Sequence, residues 1–579
     1  MEGSSETINL KLCVEQRYRP MLLAFSQKEL ANNHDSLKMM LFRRVLLFWA
    51  LCVLWCAPGS VGCKWGLRAH ECFSARDCSE TGVCKSGRCV VDEIESEHFF
   101  DSLDASKSDG VVDTFDAIHP DRAIEPEPSK EQISESVELC EKNQLSCSFA
   151  IRLGGSGTDK AEALAVNKQG EIYIAGLFSG RATFGGTTFT SVGNTDMFVA
   201  KIDSKGALIW AKQFGGKNPE FVYDLALGKD GEVYIAGKFH TETRFDKTYQ
   251  AMGQFDAFVV KMDSNGGVSW VRSVRGNYEN GIYAISVDDD GNVYGVGHFS
   301  HNIYLGKRKI GPKGETDVFV AKWNKKGEPQ WIERMGGAKS ESARDITVDR
   351  LGNVYVTGTF REQAQFGSEY PISRGERDLF VAKLSPKGDF LWTKGFGGKA
   401  DEFPQALLLD SDGNLYLTGS FGGTAIFKDS SIRARGGSDI FVAKLDGKGE
   451  VLWVIQAGGG SADSGQDLVI DKTGHLYVSG NFGGTAAFGK VTLRSKSKDT
   501  TSSASEIFVA KLDAKGSFRW ARRSGSGQNG IETAFGIGAD EQGSIYSAGS
   551  FVGKADFGPN TLDSKGSTDV FVWKTPSKP

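Results

Sequence analysis

Three aspartates recur at one register of this chain: Asp224, Asp345 and Asp467 each lie seven residues before a turn glycine, Gly231, Gly352 and Gly474. The intervening repeats carry Ala163, Ala284, Ala406 and Gly536 there, and the next position is always Leu or Ile, from Leu164 to Ile537. Three carboxylates gathered at one axis repel unless a cation, a shared proton or hydrogen-bond donors offset their charge. Asp224, Asp345 and Asp467 are therefore the candidate channel ligands, for a polar molecule or for a cation such as Ca2+. The plainer alternative is hydrogen bonding to neighbouring backbone N–H groups or to an arginine such as Arg344.

Other side chains offer less. Asp196, Asp256, Asp317, Asp378, Asp439, Glu506 and Asp569 each precede Phe-Val or its equivalent, and an acid starting a strand in every repeat suits turn capping better than a ligand ring. The lysines closing these strings, Lys201 to Lys574, read as outer-facing strand residues. The turns SVDDDGN and LDSDGN suggest calcium, but an EF-hand-type loop needs oxygen ligands at its first, third, fifth and twelfth positions. Around Gly413 the first position is Leu408, so a hairpin turn is the better reading. The pairs Gly154-Gly155, Gly215-Gly216 and Gly397-Gly398 open no helix that would make them an anion site, and read as tight loops between units. The four histidines of the repeats, His240, His298, His301 and His475, do not recur, and no nucleophile, base and orienter stand together in the pattern.

The elements that must hold these groups are strands. Seven turn glycines, Gly170, Gly231, Gly291, Gly352, Gly413, Gly474 and Gly543, are each followed three residues on by a tyrosine, then by Gly-x-Phe and an acidic residue. A period of about sixty residues means an array or a closed ring. Each repeat reads as four short strands with β-branched and aromatic residues at strand spacing, and no stretch holds a helical period. Four-stranded units repeated about an axis make a β-propeller. Six tryptophans, from Trp210 to Trp520, mark only six fourth strands, and the first five lie 21 residues before the next turn glycine. Counting 21 back from Gly170 reaches Phe149, in SFAIRLGG. The expected fold is all-β, a seven-bladed β-propeller of four-stranded blades over residues 140–579. The strand of Phe149 pairs with Val570–Lys574, which closes the ring and leaves no open sheet edge.

The motifs DxFVAK, GNVYVTGxF and the W…FGG fourth strand resemble the bacterial propeller repeat known as SBBP, over roughly Cys147 to Lys574. That resemblance implies a secreted or surface protein but no defined activity. LDAKGSFRW (Leu512–Trp520) also resembles repeats of quinoprotein-type propellers and of propeller lipoproteins in outer-membrane assembly, which have eight shorter blades.

Upstream lies an export signal. Residues 1–38 read as a mis-annotated extension, and residues 39–62 as a signal peptide with Arg43-Arg44, an apolar run from Val45 to Cys56 and a small-residue cleavage zone. Gly62-Cys63 resembles a lipobox, which implies lipidation at Cys63, although Ser60 stands where leucine is usual and ordinary cleavage after Gly62 stays open. Removing the leader leaves seven of the ten cysteines, and lipidating Cys63 leaves six: Cys72, Cys78, Cys84, Cys89, Cys140 and Cys147. Lacking CxxC pairs or histidine spacing for zinc, residues 63–91 read as a disulfide element, resembling the Cys-rich segment near the lipidated end of some surface lipoproteins. Residues 92–139 hold fifteen acidic and three basic residues and read as a solvated linker.

Net charge is −5, which gives no basic footprint for nucleic acid. The expectation is a monomeric, exported, cell-envelope lipoprotein at the outer membrane or surface. It would touch the membrane only through its lipid and would bind an envelope or extracellular protein or glycan without catalysis. The alternative is a glycan hydrolase or lyase with carboxylates near the channel. From Phe482 to Glu506 the connection is 24 residues rather than 17 or 18, and the insertion at Ser495–Ser505 is a candidate binding loop.

Overall fold

The computed structural model describes residues 148–496, 505–525 and 532–575, with the backbone of 83–85 and 88–90. The chain divides into two units, Met1–Arg122 and Ala123–Pro579. In the first unit, Val83–Lys85 and Arg88–Val90 form an antiparallel hairpin with Cys84 opposite Cys89. The leader, Cys63, Cys72, Cys78, the linker, Cys140, Cys147 and the insertion at 497–504 lie outside the described residues.

The second unit is a seven-bladed β-propeller, and every regular element described in it is a strand. Blade two, from the axis outwards, comprises Glu220–Leu227, Val233–Arg244, Thr248–Met262 and Val268–Gly276, all antiparallel. Blade four comprises Ser342–Val348, Val354–Phe360, Asp378–Leu384 and Phe390–Gly398. The remaining innermost strands are Asp159–Val166, Asn280–Val287, Glu402–Leu409, Ser464–Ile470 and Thr533–Ala539. Closure falls where the spacing places it: Phe149 pairs with Lys574, Ile151 with Val572 and Leu153 with Val570. Across the seam, Arg152 donates to Asp569 at 2.7 Å.

The turns follow from aspartate and glycine. Asp288 Oδ1 accepts the N–H groups of Asp290 and Asn292, and Gly291 takes a φ of 78°, a left-handed conformation that costs glycine little. Asp410 does the same for Asp412 and Asn414. These carboxylates are spent on backbone N–H groups, which accounts for the Asp-rich strings.

The lysines are not simply outer-facing. Each of the seven, from Lys201 to Lys574, lies over the ring of the second-strand tyrosine in its own blade, 4.7–5.2 Å from the centroid. Lys201 also pairs with Glu171 at 2.9 Å and Lys261 with Glu232 at 3.0 Å. Fourth-strand tryptophans reach the following blade: Trp210, Trp270 and Trp331 donate to the carbonyls of Ser264, Lys325 and Pro386.

One feature departs from simple four-stranded blades. Between second and third strands the chain forms an outer hairpin, such as Thr424–Phe427 with Ser430–Arg433 in blade five. Its Ala425 and Ile426 pair with Gly398 and Gly397 of blade four, so each blade is laced to the one before. The same lacing crosses the seam, Gly154 and Gly155 pairing with Thr183 and Ala182. A Cβ on Gly398 would stand 1.8 Å from the Thr424 carbonyl oxygen, which is why these loops are Gly-Gly.

Candidate functional site at the channel mouth

The hub register resolves into interblade staples. Asp224 accepts from its neighbour Leu225 at 2.7 Å and from Ile285 of blade three at 2.8 Å. Asp345 accepts from Ile346 at 2.7 Å and from Leu407 of blade five at 2.6 Å, and Asp467 from Leu468 at 2.7 Å and Ile537 of blade seven at 2.8 Å. Each even blade therefore grips the next odd one, at the residue after Ala284, Ala406 or Gly536, whose small side chains leave room. That explains the alternation. Burial pushes Asp224 and Asp467 up to about 7 against these donors, and Asp345 well above the usual carboxylate range with Asp224 adding to the rise. Arg344 bonds none of the three.

The innermost strand of every blade carries a β-bulge immediately before this register, as between Val222 and Asp224 or Ala343 and Asp345. The extra residue of a bulge is re-aimed. Here it supplies one side chain per blade: Glu162, Tyr223, Tyr283, Arg344, Gln405, Gln466 and Phe535. All are partly or fully accessible beside the axis, and successive members interact. Tyr223 stacks on Tyr283 at 4.6 Å, and Tyr283 on His298 at 4.2 Å. Burial, with the nearby charges of Arg344 and Lys238, lowers His298 to about 4, so its imidazole is neutral. Burial raises Glu162 to about 7. Lys238 lies within 6 Å of the rings of Phe221, Tyr223 and Phe255 and pairs with Glu279. The bulge thus adds a second set of accessible side chains one residue before the aspartate register, whose three carboxylates feel one another's charge as members of one ring.

A second acid register also escaped the sequence reading. Eleven residues before each turn glycine stand Asp159, Glu220, Asn280, Glu341, Glu402, Asp463 and Glu532, each buried. In blades other than the third, the residue is acidic and neighbours the acid that starts the third strand of the preceding blade. A Cβ on Gly397 would lie 2.4 Å from Asp378 and 2.5 Å from Glu402, and one on Gly458 2.8 Å from both Asp439 and Asp463. The Gly-Gly N–H groups of these interblade loops hold the protein's own acid side chains: Gly155 donates to Asp159 at 2.7 Å, Gly337 to Glu341 at 2.8 Å and Gly459 to Asp463 at 2.7 Å. The third-strand acids cap loops as expected, Asp317 accepting from Lys313 at 2.9 Å, and receive fourth-strand donors such as Arg334 at 2.6 Å and Gln213 on Asp196 at 2.7 Å. Burial first, with the partner acid's charge, raises Glu220, Glu341 and Glu402 to about 8 and Asp159 and Asp463 to about 7. Among the described residues no group of three or more His, Cys, Asp or Glu is arranged to hold a metal ion.

The class these features define is the seven-bladed β-propeller with a sealed, laced ring. Residues 330–359, from the outer strand of blade three into the second strand of blade four, match the family described as SBBP, beta-propeller repeat. An uncharacterised WD repeat-containing protein of Acanthamoeba polyphaga mimivirus is 20% identical over 504 residues, 70% of this chain and 36% of the relative. Regulatory protein FlaEY of Caulobacter vibrioides is 28% identical over 207 residues, 34% of this chain and 21% of the relative. The aligned parts thus span about a third or less of these curated relatives. Among solved structures, a Bacteroides caccae protein of unknown function is 12% identical with a TM-score of 0.32, over 56% of this chain and 89% of its own. A Xanthomonas campestris protein described as a gluconolactonase is 14% identical with a TM-score of 0.30, over 58% and 87%.

Proposed function

We propose that this protein is a non-catalytic binding scaffold of the cell envelope, exported and anchored through Cys63, whose propeller captures a protein or glycan. Propeller-repeat proteins are typically binding scaffolds. The observation that carries the reading is the hub itself. Asp224, Asp345 and Asp467, the carboxylates a glycan hydrolase or lyase would need near the channel, each accept two backbone N–H groups. The buried acid pairs are likewise tied into loops, while the accessible chemistry of the bulge ring is irregular from blade to blade, as a recognition surface is. Anchoring rests on the lipobox resemblance and the cysteine parity.

The test is to incubate the mature protein with envelope glycan and protein fractions and weigh what it retains. A partner recovered at unchanged mass supports the scaffold; shortened or unsaturated glycan supports the hydrolase or lyase. Cys63→Ser should release the protein from membranes, and unchanged membrane association would contradict the anchor.

A further inference from the structure

A groove of about 730 Å³ opens on the outer wall of the ring, over the fourth strand of blade five, Val451–Gly459. Its floor holds three consecutive residues, Val454, Ile455 and Gln456. Successive side chains of a strand point to opposite faces, so the groove lies over the edge of the strand and not over either face. That edge is open. The strand pairs inwards with Asp439–Leu445, but outwards only Gly458 and Gly459 have partners, Ala487 and Ala486 of the blade-six hairpin. From Val451 to Ala457 no strand lies outside it among the described residues. A row of unpaired backbone N–H and C=O groups is a template for another chain.

The walls give that template a charge. Ile432 of the blade-five hairpin and Phe518 of blade six, both half-buried, flank the floor, and Arg433, Lys490 and Arg519 stand exposed at the rim. Arg519 is paired with Asp513 at 2.6 Å, and the side chain of Gln456 donates to Asp439. Among the described residues, the side chains of Arg433 and Lys490 make no hydrogen bond or ion pair, and no carboxylate lines the groove. Around the fourth strand of blade four the corresponding places, counted from Phe427 and Trp453, hold Asp429 and Leu452 in place of Lys490 and Arg519. The basic rim is therefore not a property of the repeat.

We propose that this groove takes an extended, acidic segment of a protein partner, which adds a strand outside Val451–Ala457 with its carboxylates facing Arg433 and Lys490. The open edge selects a polypeptide. In strand addition the main-chain ladder supplies affinity and the flanking pockets choose the side chains. About six residues at ~3.3 Å each would cover the free edge. Ile432 packs with Val454 against one core cluster and Phe518 with Ile455 against the next, so apolar side chains of the segment would find cover on both sides. An acidic glycan would meet the same rim, but it carries no ladder of donors and acceptors at strand spacing.

The proposal deepens the scaffold reading and rests on it, committing the partner to a protein. Fluorescence anisotropy of the mature protein with a labelled peptide of alternating Glu and Val tests it. The comparisons are the same peptide N-methylated throughout, a Lys-Val peptide and a polyglucuronate chain. Binding of the unmethylated Glu-Val peptide alone is expected, weakening with salt. Arg433→Glu combined with Lys490→Glu should weaken it at least about tenfold, two exposed ion pairs being replaced by repulsion. The double variant should melt as the parent does, since neither side chain holds another residue. No binding, equal binding of any comparison probe, or a double variant that binds as well as the parent would overturn the proposal. So would binding that appears only once residues 92–139 are deleted, which would give the groove to the chain's own acidic linker. Self-association abolished by the double variant would give it to a second copy, and would overturn the proposal too. If the peptide fails while an envelope partner is still retained intact, the scaffold stands and this inference falls.

Discussion

Asp345 in blade four accepts the backbone N–H of Leu407 in blade five at 2.6 Å, while its other oxygen holds Ile346 at 2.7 Å. One side chain thereby joins two blades at the axis, and Asp224 and Asp467 repeat the join for blades two with three and six with seven.

Asp345→Ala should therefore destabilise the ring, because each buried N–H left without an acceptor costs about 1–3 kcal/mol. Thermal melting is the measure. A variant as stable as the parent would mean that these N–H groups find other acceptors. Added calcium should leave the melting temperature unchanged, because the carboxylate oxygens already meet N–H donors. A calcium-dependent rise abolished in the triple Asp→Asn variant would restore the cation reading.

The buried acid pairs set a pH dependence. Folded values of about 7 for Asp159 and Asp463 and about 8 for Glu220, Glu341 and Glu402 lie above the unfolded carboxylate range. The folded state therefore keeps protons the unfolded state has lost. Their contribution is complete below about pH 4 and disappears as pH rises through about 7–8. Melting temperature should fall between about pH 5 and about pH 8.5. Glu341→Gln should flatten that slope, since blade three already carries an amide, Asn280, at this register. A melting temperature that climbs over that interval would contradict the pairing.

Removing residues up to Leu153 takes away the strand that pairs with Val570–Lys574 and the Arg152 partner of the wholly buried Asp569. An open edge and an uncompensated buried carboxylate should give aggregation or loss of cooperative melting. Arg152→Ala alone should lower stability by about 3–5 kcal/mol at most, the cost of breaking a buried pair. A truncated protein that melts like the parent would place the seam elsewhere.

Trimming residues 497–504 should leave melting unchanged, since the flanking strands Val491–Arg494 and Glu506–Leu512 keep their own partners. Loss of partner retention in the trimmed protein would show the insertion to be a binding loop. Undiminished retention would show it to be tolerated.

Much of the ring was legible. Turn glycines, strand alternation and the 21-residue offset from Phe149 to Gly170 give blade number, strand order and seam. The outer hairpins were not, because strands such as Thr187–Thr190 (TTFT) are too short to show a period. Nor was the channel face. A strand read at strict period two assigns Asp345 to the axis, where it stands beside Asp224 and Asp467, but it does not reveal the bulge that adds Arg344 one position earlier. The acid register eleven residues before the turn glycines was written plainly in the sequence, but its meaning depends on a partner about 24 residues earlier, in the previous blade, as Asp378 is for Glu402.

The central claim is that the propeller binds without transforming what it binds. Mass analysis of an envelope partner held by the mature protein, after prolonged incubation, tests this most directly. The account predicts recovery at unchanged mass. A partner recovered shortened, or carrying a new unsaturated end, would contradict it.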